Sequence, residues 1–333
     1  MHDRSSTVLR IAAALAAVLA LKPAGGDARA ADAFTREILN IRRDFGAVGD
    51  GEADDTEAVQ QAFRAAAPVY LPPGVYRVTA TIRVRSRTKV YGAGCEWNAS
   101  PESSTVIRYD GPPDGTVLNA QEAHYSQMRN IQVSGGDKAA VGMYWNYSTH
   151  TVLEDVTISG CLQHGLYVTR TWYANFNRLY VRGNRGNGIT LDRDTDERLA
   201  KGPVNYVNFH QCYSSHNGRG LAYDGRENIA VGYGFGSRGY NNMVNVTASV
   251  FENNGGAGVY LEGPENSSML FQGCYFERNC IALRQDEDRT DAQRAMGYVA
   301  HIIDNTRSSS NYAVFDTCYL HPYGGIWLRG PNS

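Results

Sequence analysis

Asp192, Asp224 and Glu262 are the residues whose types and spacing could most plainly do chemistry. Each follows an apolar-x-apolar triplet in a recurring unit of the chain: Ile189-Thr190-Leu191, Leu221-Ala222-Tyr223 and Val259-Tyr260-Leu261. If those units stack as neighbouring strands, the three acids form a ladder with a step of ~4.8 Å. Carboxylates that close repel one another, so the ladder needs a cation, a basic partner or a proton. A member with a raised pKa can serve as general acid while an ionised one serves as base or nucleophile. Adjacent members, ~5 Å apart, suit cleavage of a glycosidic bond with retention; Asp192 and Glu262, ~9–10 Å apart, suit inversion. Spacing does not choose between them.

A second set of residues supports different chemistry. His164, Arg219, Tyr260 and Arg284, with His216, offer bases for a proton next to a carboxylate and cations to neutralise that carboxylate, the requirements of β-elimination. In that case the acids are free to hold Ca²⁺, which favours several carboxylate oxygens. A hydrolytic site needs no cofactor, and His150, His210, His301 and His321 show no metal-ligand spacing. Tyr167 and Tyr260 stand beside the ladder as rings against which a sugar could stack.

The elements that must position these groups are repeats. VGMYW, HGLYV, NGITL, RGLAY, AGVYL, NCIAL and GGIWL share one pattern, and Gly142, Gly165 and Gly188 are 23 residues apart. That period is one coil of a β-solenoid. Longer steps carry insertions after Asp192, Asp224 and Arg284, and the last step is long enough to hold one more coil around Tyr298 to Ile303. Alternation along each strand puts Tyr144, Tyr167, Thr190, Ala222, Tyr260, Ala282 and Trp327 in one outward row. Asn146, Thr169, Asp192, Asp224, Glu262, Arg284 and Arg329 make the next. A coil cannot bury its apolar face alone, so residues 31–333 are expected to form one all-β domain. Cys212, Cys274 and Cys318 recur in HQCY, QGCY and DTCY and are expected to stack in the core as small apolar side chains. Tyr144, Trp145, Tyr147, Trp172 and Tyr173 form an aromatic cluster on the earlier coils.

Ahead of the repeats, Asp54 and Glu57 form a capping-box pattern for a short helix ending near Ala67. VYLPPGVYRV (69–78) reads as strand, turn, strand. Residues 1–30 read as an export signal, with Arg4 and Arg10, an apolar run from Ile11 to Leu21, and Ala28-Arg29-Ala30 as the cleavage site, which points to a secreted or periplasmic protein. The net charge of −2 supports neither a nucleic-acid partner nor a membrane surface.

FGAVGDGEADDTEAVQQAF (45–63), followed by VYLPPGVYRV, resembles the entry segment of the pectate-lyase-like β-helix superfamily, in the branch of polygalacturonases and tailspike depolymerases. The resemblance implies a right-handed, single-stranded parallel β-helix with a short N-terminal capping helix, action on a polysaccharide, and a monomer or homotrimer. The chain departs from it where polygalacturonases carry acids before the Gly-apolar-x-apolar strands. Here those places hold His164-Gly165, Asn187-Gly188, Arg219-Gly220, Ala257-Gly258 and Asn279-Cys280. The expectation is therefore a polysaccharide-cleaving enzyme, with hydrolysis by the acid ladder narrowly ahead of β-elimination. A carbohydrate-binding β-helix without catalysis is the alternative from another class.

Overall fold

A computed structural model describes residues 38–95, 100–193, 202–218, 232–239, 241–262, 266–280, 301–304, 313–320 and 326–329. Residues 1–30 lie outside them. The described chain is a right-handed parallel β-helix whose strands pair with the coil before and the coil after. Three series of strands run along it. The first passes through Thr116–Gln121, Val141–Thr149, the start of His164–Arg182, Asn187–Asp192, Phe235–Arg238, Val259–Glu262, His301–Asp304 and Ile326–Arg329.

Strict alternation builds the core. Leu118, Met143, Leu166, Ile189, Phe235 and Val259 occupy one inward column of the first series and are buried. Met128, Leu153, Phe176, Phe209, Val246 and Phe271 occupy an inward column of the second series. The aromatic cluster of the earlier coils divides: Trp145 is fully buried in the core, whereas Tyr147 and Tyr173 face outward.

The corners explain how so regular a stack closes. Each is a single residue in the left-handed region, repeated from coil to coil. Tyr125, His150, Tyr173, Tyr206, Met243 and Ser268 form one such column, and Asn130, Asp155, Arg178, Gln211, Ala248 and Thr317 belong to another. The conformation costs a non-glycine residue ~1–2 kcal/mol, but it keeps the corner N–H pointing along the axis. Tyr125 N–H donates to Thr149 O at 2.8 Å, Gln211 N–H to Thr247 O at 3.0 Å and Ala248 N–H to Gln272 O at 2.8 Å.

At the third corner a buried ladder replaces backbone partners. Asn184 Nδ2 donates to Asn217 Oδ1 (2.9 Å), Asn217 Nδ2 to Asn254 Oδ1 (3.0 Å) and Asn254 Nδ2 to Asn279 Oδ1 (2.8 Å). Of the three recurring cysteines, Cys212 and Cys274 are buried in the core as expected and Cys318 is partly buried against it; Cys161 and Cys280 are buried too, and all six are free thiols. Cys212 Sγ donates to Phe176 O and Cys274 Sγ to Val246 O, each reaching the previous coil.

Two short helices, Ile41–Phe45 and Thr56–Arg64, stand at the entry end, with Ile41, Val59, Ala62 and Phe63 buried. The expected capping box does not form. Asp54 accepts from Thr56 N–H, but Glu57 accepts from Gln61 one turn on. Asp55, at the cap position, turns its carboxylate to Val48 and Gly49 N–H instead, tying the glycine-rich lead-in to the helix.

Two coils differ from the sequence reading. The strand after Asn187–Asp192 is Phe235–Arg238, not the Leu221–Tyr223 unit, and the strand after Val259–Glu262 is His301–Asp304, not Ile281–Leu283. The further coil expected near Tyr298 to Ile303 exists, and it takes the place of the NCIAL unit.

The asparagine ladder is the most demanding polar element of the core, because removing one rung orphans donors and acceptors above and below it. Asn217→Ala is expected to lower stability by ~2–4 kcal/mol, read as a lower urea midpoint with an unchanged slope.

Candidate functional site

The row that begins Asn146, Thr169, Asp192 continues through Arg238, Glu262 and Asp304 to Arg329. Asp224 lies outside the described residues, as do Arg219 and Arg284. In the row itself a cation, Arg238, stands between Asp192 and Glu262, where the middle acid was expected.

Arg238 is half-exposed between the two acids. Its Nη1 lies 3.9 Å from Asp192 Oδ2, and its Nε lies 3.8 Å from Glu262 Oε2. These are ion pairs beyond hydrogen-bond reach. Burial works against the charge on Arg238, but Tyr233, Asp192 and Glu262 outweigh it and hold the pKa above its ordinary value.

Asp192 is buried, and burial pushes its carboxyl pKa up against the opposing pull of Arg238. It accepts from its neighbour Arg193 N–H at 2.8 Å and from the Tyr167 hydroxyl at 3.2 Å. Both partners are donors, so the geometry is that of an ionised acceptor. Tyr167 is itself held protonated, chiefly by burial and then by the charge of Asp192.

His164 lies against Tyr167, ring centroids 4.7 Å apart and near parallel. Its Nδ1 is 2.8 Å from Thr190 Oγ1, and Thr190 Oγ1 is 3.0 Å from the hydroxyl of Tyr233. Burial, with Arg238 nearby, pushes the imidazole down to about 4.

Sequence reasoning missed Tyr233 and Arg238. Tyr233 comes from the segment before its strand and lies over Gly236, where a Cβ would fall 2.2 Å from the tyrosine ring. It thus fills the outward slot that Gly236 leaves empty. The signal was a glycine at a position where the other coils carry a side chain.

Tyr260 was expected on the surface, but it is only 4% exposed, stacked against Tyr233 at 5.7 Å. Tyr144 and Tyr167 likewise stack on each other at 5.4 Å. The rings of this row thus stack on one another from coil to coil. His216 bonds Ser215 at another corner and is not part of this group. The acid ladder proposed as a Ca²⁺ site does not fit that ion, because Arg238 separates the acids; among the described residues no group of His, Cys, Asp or Glu forms a metal-ligand set.

The arrangement can bind an anionic group at Arg238 and move a proton between Asp192 and Tyr167 beside it.

Comparison with known proteins identifies the family and the fold. Residues 38–222 match the family model described as rhamnogalacturonase A/epimerase, pectate lyase-like. A stretch of 90 residues is 34% identical to the pre-neck appendage protein of Bacillus phage B103, covering 27% of this chain and 10% of that protein. Another of 118 residues is 30% identical to alginate lyase 7 of Azotobacter vinelandii, covering 30% and 13%. The chain thus spans 13% or less of the length of these relatives. The solved structure of the Dettilon tailspike protein shares the fold, with a TM-score of 0.57 at 11% identity over 84% of this chain and 49% of that one.

Two outcomes test the geometry. An imidazole held near 4 stays neutral in the folded chain while the unfolded one takes up a proton below its ordinary 6.5. Stability from this group is therefore complete above about 6.5 and is lost as pH falls toward 4, by about 3 kcal/mol. His164→Gln should flatten urea midpoints across that window. Gly236→Ala should displace Tyr233 and cost ~1–3 kcal/mol, with Tyr260 becoming more accessible to solvent-borne quenchers of its fluorescence.

Proposed function

The chain belongs to the rhamnogalacturonase A/epimerase, pectate-lyase-like family of polysaccharide-acting β-helices, and from that premise we propose that it cleaves a uronate-containing polysaccharide by β-elimination. The observation that carries this reading is Arg238: a half-exposed guanidinium, flanked by two acids at 3.8–3.9 Å, whose N–H groups enter no hydrogen bond among the described residues. Those donors suit a sugar carboxylate, bound by two parallel N–H···O bonds.

Pairing the uronate carboxylate with Arg238 acidifies the C–H next to it and stabilises the charge that develops when that proton leaves. Asp192, made more basic by burial, takes the proton. The C–H electron pair becomes the new C=C bond, and the bond from the adjacent ring carbon to the glycosidic oxygen breaks. The Tyr167 hydroxyl protonates the departing oxygen and regains a proton from Asp192 through the hydrogen bond they share. The net change is one proton moved from carbon to oxygen, with both side chains restored. In this reading the guanidinium takes the place that a metal cation would have beside the carboxylate. The name of alginate lyase 7, an enzyme of a polyuronate, supports the substrate class. Export directed by residues 1–30 belongs to the same proposal, since such polymers lie outside the cell.

One observation favours a second reading. Asp192 and Glu262 sit two strands apart on one row, ~9–10 Å, and Asp192 has a raised pKa, as inverting hydrolysis requires.

The mature protein should release unsaturated uronide ends together with reducing ends from a polyuronate panel. Arg238→Ala should lower kcat/KM ~100- to 1,000-fold, with Arg238→Lys between the two. Reducing ends without unsaturation would replace this proposal with the hydrolytic one. Glycan binding without turnover across the panel would make the chain a binding module.

A further inference from the structure

The ring nitrogens of His164 are not equivalent, and the surrounding hydrogen bonds decide which one carries the proton. Asn187 Oδ1 accepts from Gly232 N–H at 2.6 Å, which fixes the amide so that Nδ2 is the atom facing His164 Nδ1, at 3.4 Å. An amide nitrogen can only donate. Independently, Tyr233 is fully buried, and its hydroxyl has Thr190 Oγ1 as its one acceptor among the described residues. A buried hydroxyl that failed to donate would cost the desolvation of its proton. Tyr233 therefore donates to Thr190, and the proton of the buried Thr190 hydroxyl has His164 Nδ1 as its one remaining acceptor among the described residues, so Thr190 donates to Nδ1. Two separate donors converge on Nδ1, so the neutral ring carries its proton on Nε2. That nitrogen has no partner among the described residues and is not among the buried unpartnered atoms, so it meets solvent at the outer face.

We propose that Tyr233, Thr190 and Asn187 are positioning residues that lock His164 as an Nε2–H donor toward the bound glycan, so that His164 acts as a hydrogen-bond donor and not as the base. Adding a proton would place Nδ1–H against two donors, which the site resists. Assigning the acceptor as the uronate carboxylate or its developing enolate rests on the elimination reading. The lock itself does not.

The test is the nitrogen-15 spectrum of the whole protein labelled in its histidines, with His164 assigned through His164→Gln. At neutral pH, Nδ1 should resonate as an unprotonated, pyridine-type nitrogen and Nε2 as a protonated, pyrrole-type one. Thr190→Ser keeps the donor and should leave that pattern in place. Asn187→Asp turns a donor into an acceptor and should move the proton to Nδ1, raise the pH at which the ring titrates, and lower kcat/KM about 10- to 100-fold, the cost of one hydrogen bond to a charged group. A merely structural role for Asn187 would lower stability without inverting the tautomer. A pyridine-type Nε2 in the parent protein, or an unchanged tautomer in Asn187→Asp, would overturn the inference even in an active enzyme. The expected tautomer in a protein that turns over no polyuronate would sink the elimination reading alone.

Discussion

Hydrogen bonding along the helix axis is the constraint on which the rest of this structure depends. Each coil gives its peptide N–H groups to a neighbouring coil, and the left-handed corner residues carry the pattern around the bends without a break. A row of side chains on one face is consequently a column of fixed pitch, and a residue's neighbours are chosen by register more than by sequence distance. Asp192, Arg238 and Glu262 meet because they occupy one column, although dozens of residues separate them in the chain.

Where the sequence repeats without interruption, it was readable. Gly142, Gly165 and Gly188 mark the pitch, and the pairing of Tyr144 with Tyr167 and of Thr169 with Asp192 follows from it. The reading failed at the first long insertion. RGLAY has the apolar-x-apolar form that the pattern requires, whereas the strand that takes the place, Phe235-Gly-Ser-Arg238, has a serine at its second inward position. That serine is satisfied by Asn266 and Asn241 in the core, a compensation that periodicity cannot show. The corners were equally hidden. Tyr, Arg, Gln and Ala carry no turn signal, because their left-handed conformation is imposed by the coils on either side.

The electrostatic logic of the site follows from the same error. Three stacked carboxylates called for a compensating charge, and the fold supplies it within the row as Arg238. What had looked like acid–base machinery looking for a cation is a cation already framed by acids, with donors to spare. The aromatic residues serve a related end. By stacking on one another they form pairs of rings along the row, with His164 packed against Tyr167.

The free thiols carry a consequence for how the chain must fold. Burial pushes Cys212 and Cys274 up to about 12, so in the finished coil the reactive thiolate is vanishingly rare at neutral pH. Before the coils close, no such protection exists, and Cys274 comes to lie beside Cys318 on the next coil. In an oxidising medium, assembly of these coils is a race: the stack must form before its own cysteines are cross-linked into pairs that the native column does not contain.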